Sequence, residues 1–196
     1  MAKYNDVTAG QTEACINRMG GWDNFLRFIG GQGEIVFKTI LSLITTIKLP
    51  AQPSFTTNES FKVDTSKPAS PKIAYIDDNF KKWFGNRAEE SVEAVELNIS
   101  KLCENSRDDR ILAEFGGKAV TTLSQLFALI KEQGNGEAGS LLVNGYANIF
   151  YIIDKDGEHR AVDAFWFADF GGWGVDASEV DYPSTWYAGD QVVSRK

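Results

Sequence analysis

The spacing of apolar residues changes along the chain, and each change predicts a new element. Ala14, Cys15, Ile16 and Met19 fall roughly on one helical face, so Thr8–Met19 is read as a helix, started by Thr8 or Gly10 and ended at Gly20-Gly21. Trp22, Phe25, Leu26 and Ile29 repeat that spacing and predict a second helix, closed by Gly30, Gly31 and Gly33. From Glu34 to Leu49 the chain turns to Ile, Val, Thr and Phe, a β-branched content that favours a long strand, stopped by Pro50. Residues 51–72 keep neither period. Pro, Ser, Thr and Asn dominate them and predict a surface linker, with one short strand near Phe61–Val63.

Past the linker, Asp77 or Asp78 caps a short helix bearing Phe80, Trp83 and Phe84 on one face. Val95, Leu97 and Ile99 alternate with Glu96, Asn98 and Ser100, the pattern of a half-buried strand. Ser106 opens a helix that runs to Phe115. Thr121 or Thr122 opens another, with Leu123, Leu126, Phe127 and Ile130 as its apolar stripe. The remainder reads as β: strands at 140–143, 146–153, 160–167, 173–180 and 188–194, with Asp154–Gly157 as a hairpin loop. The prediction is an α+β chain: an N-terminal helix–helix–strand segment (1–50), a linker (51–72), and an α+β domain (73–196) ending in an antiparallel meander of four to five strands. A length of 196 residues also suits one domain overall.

Composition narrows the classes. Hydrophobic residues make up 43% and charged residues 24%, enough apolar surface to bury a core and to exclude disorder throughout. The net charge of −7, with no dense Lys/Arg run, argues against a nucleic-acid partner. Cys15 and Cys103 match no CxxC pattern, so neither a disulfide framework nor the usual zinc set is expected. The most apolar run, 35–49, is too short and too polar to span a bilayer, and the first residues lack the core of a signal peptide. The expectation is a cytoplasmic protein with no cofactor, no metal and no membrane span.

Four stretches carry a resemblance in order and spacing. They are Ile16-Asn17-Arg18-Met19-Gly20-Gly21, Val120-Thr121-Thr122-Leu123-Ser124-Gln125-Leu126, the tryptophan-rich strands, and Gln191-Val192-Val193-Ser194-Arg195-Lys196. In these the chain resembles a family of small bacterial proteins abundant in candidate phyla such as Parcubacteria, over most of its length and least across 51–72. The resemblance implies an intracellular, single-unit protein; it implies no catalytic residue and carries over no site.

Candidate chemistry then rests on the residues alone. His159 is the only histidine and Cys15 and Cys103 the only thiols, so a Cys–His pair such as Cys103–His159 is possible on composition, and the exposed strand start expected for His159 speaks against it. Asp154–Glu158 is too short for a calcium loop. Asp163, Asp169, Asp176, Glu179 and Asp181 lie among aromatic strands and supply the carboxylates that a glycoside hydrolase or other hydrolase needs in pairs. Nearly half of the aromatic residues fall within 146–187. In the strand through Phe165, Trp166 and Phe167 both faces carry large rings, so both must be covered, by this chain or by a partner. The reading favoured is non-catalytic binding of another protein, or self-association, through the meander surface at Trp166, Trp173, Trp186 and Tyr187. The alternatives are a small carbohydrate-active or other hydrolytic enzyme and an acidic mimic of nucleic acid.

Overall fold

The structure, a computed structural model, describes residues 8–32 and 39–196, so the part of the predicted 34–49 strand at 34–38 lies outside the described residues. The chain divides into two compact units, Met1–Lys38 and Thr39–Lys196. In the first, α1 (Ala9–Arg18) begins at a capping box: the Thr8 hydroxyl accepts from Gln11 N, and the Gln11 side chain accepts from Thr8 N. Glycines 20 and 21, both at positive φ, turn the chain into α2 (Trp22–Ile29), whose Trp22 and Ile29 stay largely exposed.

The second unit is built on one mixed sheet. Its strands are β1 (Leu41–Leu49), β3 (Ile73–Ile76), β5 (Val95–Leu102), β6 (Val120–Thr121), β7 (Asn148–Ile153), β8 (His159–Phe167), β9 (Gly172–Glu179) and β10 (Gln191–Arg195), while β2 (Phe55–Thr56) and β4 (Ala88–Glu89) form a separate pair. The main order is β1-β5-β10-β7-β8-β9-β3, and β6 pairs in parallel with β7 at Tyr151 and Ile152. The helices are α3 (Thr57–Ser60), α4 (Asp78–Phe84), α5 (Asp108–Phe115) and α6 (Leu123–Glu132). The architecture is α+β. The antiparallel meander is β7-β8-β9; the last strand turns back across it and inserts between β5 and β7, antiparallel to one and parallel to the other.

Alternation along the strands sends side chains to two faces, and both are packed. On the first face Leu97, Ile99, Phe150, Ile152, Val162, Ala164, Trp173, Val175 and Val193 meet Phe80, Trp83 and Phe84 of α4 and Leu123, Leu126, Leu129 and Ile130 of α6. On the second, Leu102, Ile149, Tyr151, Ala161 and Val192 meet Ile111 of α5, with Ile40 and Ala119. The strand predicted as half-buried, β5, keeps Glu96 and Asn98 half-buried on its polar face, and that face becomes fully buried only at Ser100 and Leu102, where Leu102 joins Ile111 of α5.

Two expectations change here. The 51–72 stretch is folded in: Phe55 and Phe61 are buried and stack with Phe127 at 5.5 and 5.2 Å between ring centroids. Polar composition hid two aromatic anchors, and the division into units falls at Lys38/Thr39 instead. Residues 140–143 form no strand. Side-chain amides replace a ladder: Gln133 bonds both Leu141 N and Leu141 O, and Asn148 bonds both Leu142 N and Leu142 O.

Candidate functional site

The second face changes character where it reaches β8 and β9. Across the sheet, Ser100, Val192, Ile149, Asp163 and Asp176 occupy one row, by strand register. Ser100, Val192 and Ile149 are buried; Asp163 and Asp176 are half-buried. The two aspartates are direct cross-strand partners on one face, a position in which Cβ atoms stand roughly 4.5–5.5 Å apart. Asp77 follows on, its N–H bonded to Val175 O, and Asp190 lies on β10's approach one row away.

Burial raises the Asp163 carboxyl to about 8, helped by the charges of Asp176, Asp190 and Asp77. Burial, with Asp77, raises Asp176 to about 6. Protons leave such a pair in coupled steps. No side-chain hydrogen bond or ion pair joins Asp163 or Asp176 to another described residue, and Asp176 Oδ1 is buried without a partner.

The other recessed acids of this unit are all provided for. Asp154 is fully enclosed; burial would raise it, but Arg160 Nε at 2.7 Å and the amides of Asp156 and Glu158 hold it low. Asp108 is raised by burial against two bonds at 2.7 Å, from Tyr151 Oη and Trp186 Nε1. Asp190, likewise raised by burial, accepts from Ala147 N and Tyr187 N. Glu89 accepts from the first two amides of α6. Asp163 and Asp176 stand out against these four.

An aromatic ledge adjoins the pair. Phe165 and Phe167 meet edge to face at 4.6 Å, and Phe167 meets Phe170 the same way at 5.7 Å. Both rings of the strand fold over Gly174, where a Cβ would come within 2.6 Å of Phe165 and 2.8 Å of Phe167. Tyr75, Phe167, Phe170 and Ala74 line a hollow of about 270 Å³ at the β3 edge. Phe170 is 68% and Tyr75 45% exposed. The Tyr75 hydroxyl is raised by desolvation and by the neighbouring charge of Asp176, which ties the ledge to the carboxyl pair.

The residues expected from sequence fall into separate places. Trp173 has no exposed surface and donates from Nε1 to Gln133 O at 2.9 Å, which makes it a core residue. Trp166 is half-buried and packs at 5.6 Å against Trp173, with Gly136 pressed on its ring. Trp186 is half-buried on Asp108, and Tyr187 is 66% exposed. Of the five acids singled out, Asp163 and Asp176 come together, Glu179 lies 3.7 Å from Arg160, and Asp169 and Asp181 are exposed. The sequence marks neither Tyr75 nor Asp190, and it marks Asp77 only as a helix cap. They sit outside the aromatic strands in sequence, and only the sheet order brings them near.

Among the described residues no group of three or more His, Cys, Asp or Glu is placed to hold a metal ion, and no helix is long and apolar enough to cross a membrane. Comparison with protein-family models, with curated proteins and with solved structures finds no match for this chain.

Proposed function

We propose that this chain is a non-catalytic binding protein whose β8–β9–β3 face takes a cationic group, a guanidinium or ammonium presented by a basic segment of a protein partner. One observation carries this reading: other residues donate to Asp108, Asp154, Asp190 and Glu89, whereas among the described residues none donates to Asp176, and Asp163 has only its own backbone amide. A cation would relieve the repulsion within the pair and satisfy the buried Asp176 oxygen. Exposed Phe170 and Tyr75 offer ring faces beside it, the setting in which a cation gains from the ring quadrupole. The exposed, unpaired thiols of Cys15 and Cys103 support a reducing, cytoplasmic setting.

The test is a calorimetric titration with a blocked Gly-Arg-Gly peptide and its citrulline counterpart. Binding of the arginine peptide should release protons, strengthen between pH 6 and pH 8, and disappear in Asp163→Asn/Asp176→Asn. Equal binding of the citrulline peptide, or none by either, overturns the reading.

A second reading, hydrolysis by paired carboxyls, is favoured by the separation of the two groups, about 8 against about 6, which assigns an acid and a base at neutral pH. Turnover of chromogenic glycosides that is lost in Asp163→Asn would select it over binding.

A further inference from the structure

The first face of the sheet holds a second site, where β5 ends and β10 begins. A cavity of about 700 Å³ opens there, within the range of small-molecule pockets. Gln191 and Lys101 border it from directly opposed positions on β10 and β5, on the same face. Ile44, Leu142 and Tyr146 supply apolar wall. The Tyr146 ring lies close on the backbone of Gly189, where a Cβ would come within 2.8 Å of it, so only glycine allows that wall.

Gln191 is 7% exposed, and its Oε1 is buried without a hydrogen-bond partner among the described residues. Other buried carboxamides show how this fold treats such a group when its role is structural. Asn148, facing Gln191 across the ladder, accepts from Leu142 N and donates to Leu142 O and Ala164 O. Gln133 accepts from Leu141 N and donates to Leu141 O and Glu137 O. Leaving such an acceptor unmade costs about 1–3 kcal/mol in general. Lys101 is the single charged residue in the lining and makes no ion pair among the described residues.

We propose that this cavity binds a small carboxylate that also carries an amide or hydroxyl donor. The carboxylate pairs with the Lys101 ammonium, and the donor meets Gln191 Oε1 once the carboxamide turns that oxygen from its enclosed position into the cavity. Tyr146, Ile44 and Leu142 pack the remainder of the molecule. The site is independent of the Asp163–Asp176 face and stands whichever way that reading falls.

The experiment is a ¹⁵N NMR titration of the full chain with N-acetylglycinate, acetate and N-methylacetamide. N-acetylglycinate should give saturating shifts at the Gln191 side-chain amide, Asn144 and Tyr146, and bind about tenfold more tightly than either fragment. Lys101→Met should weaken it by about tenfold, and Gln191→Met should remove its advantage over acetate. The proposal is overturned if no probe gives saturating shifts at these residues, in which case a water serves Gln191, or if N-acetylglycinate and acetate bind alike. Should Gln191→Met fail to fold, the exposed Lys101→Met decides: unchanged affinity there overturns the proposal.

Discussion

At the scale of single residues the carboxyl pair has a consequence for stability. A half-buried Asp163 that keeps its proton to about 8 binds that proton in the folded state where the unfolded chain, titrating near 3.9, has already released it. Folding then takes up a proton across that window, so this group makes the protein less stable as pH rises from about 4 to about 8. Asp176 acts in the same direction up to about 6. Asp176 on β9, Asp190 just before β10 and Asp77 just after β3 sharpen the effect by repulsion. The melting temperature should fall between pH 5 and pH 8, and Asp163→Asn should flatten that decline in a thermal scan. A wild-type profile that rises over this range would show that the carboxyl is ionised and satisfied. Both aspartates could be picked from the sequence as acids on aromatic strands. That they face each other could not, because register is set by the β8–β9 turn and by which face is buried, not by any local pattern.

At the scale of elements, α6 shows how completely a helix start can be specified. The Thr122 hydroxyl accepts from Gln125 N at 3.2 Å, the Gln125 side chain accepts from Thr122 N, and the Glu89 carboxylate takes the amides of Leu123 and Ser124. The Thr–x–x–Gln half of this cap is legible in the sequence, which narrows the helix start to Thr121 or Thr122; the structure uses Thr122. The Glu89 half comes from a two-residue strand whose partner is Phe55–Thr56, and no local pattern announces it. Thr122→Ala should cost about 1 kcal/mol, read as a fall of about 2–4 °C in melting temperature, with Glu89 retaining the rest of the cap. The same contrast runs through the chain. Periodic segments such as β5 and α2 declare themselves, whereas the 51–72 stretch contributes two buried rings from a background of Pro, Ser and Thr.

At the scale of the whole molecule, the division at Lys38/Thr39 makes residues 39–196 self-sufficient on internal grounds. Among the described residues, the members of both hydrophobic clusters all lie within them. A chain of residues 39–196 should therefore fold alone, with a melting temperature within about 2 °C of the full chain by circular dichroism. A larger loss would show that the first unit contributes to the stability of the second. Strand order was the least legible property at this scale. Even spacing of strands suggested a continuing meander, but adjacency in a sheet reflects packing over the entire unit, and β10 pairs with strands that precede it by about forty to a hundred residues.

That placement governs the order in which the sheet can be assembled during synthesis. β1 and β5 make one ribbon, and β7, β8, β9 and β3 make another; in the sheet they are joined only through β10, which leaves the ribosome after all the others. Until Gln191–Arg195 clear the exit tunnel, the facing edges of β5 and β7 present unpaired amides and carbonyls, and the nascent chain carries two open edges in place of a closed seam. Closing it brings together segments far apart in sequence, a late and slow step.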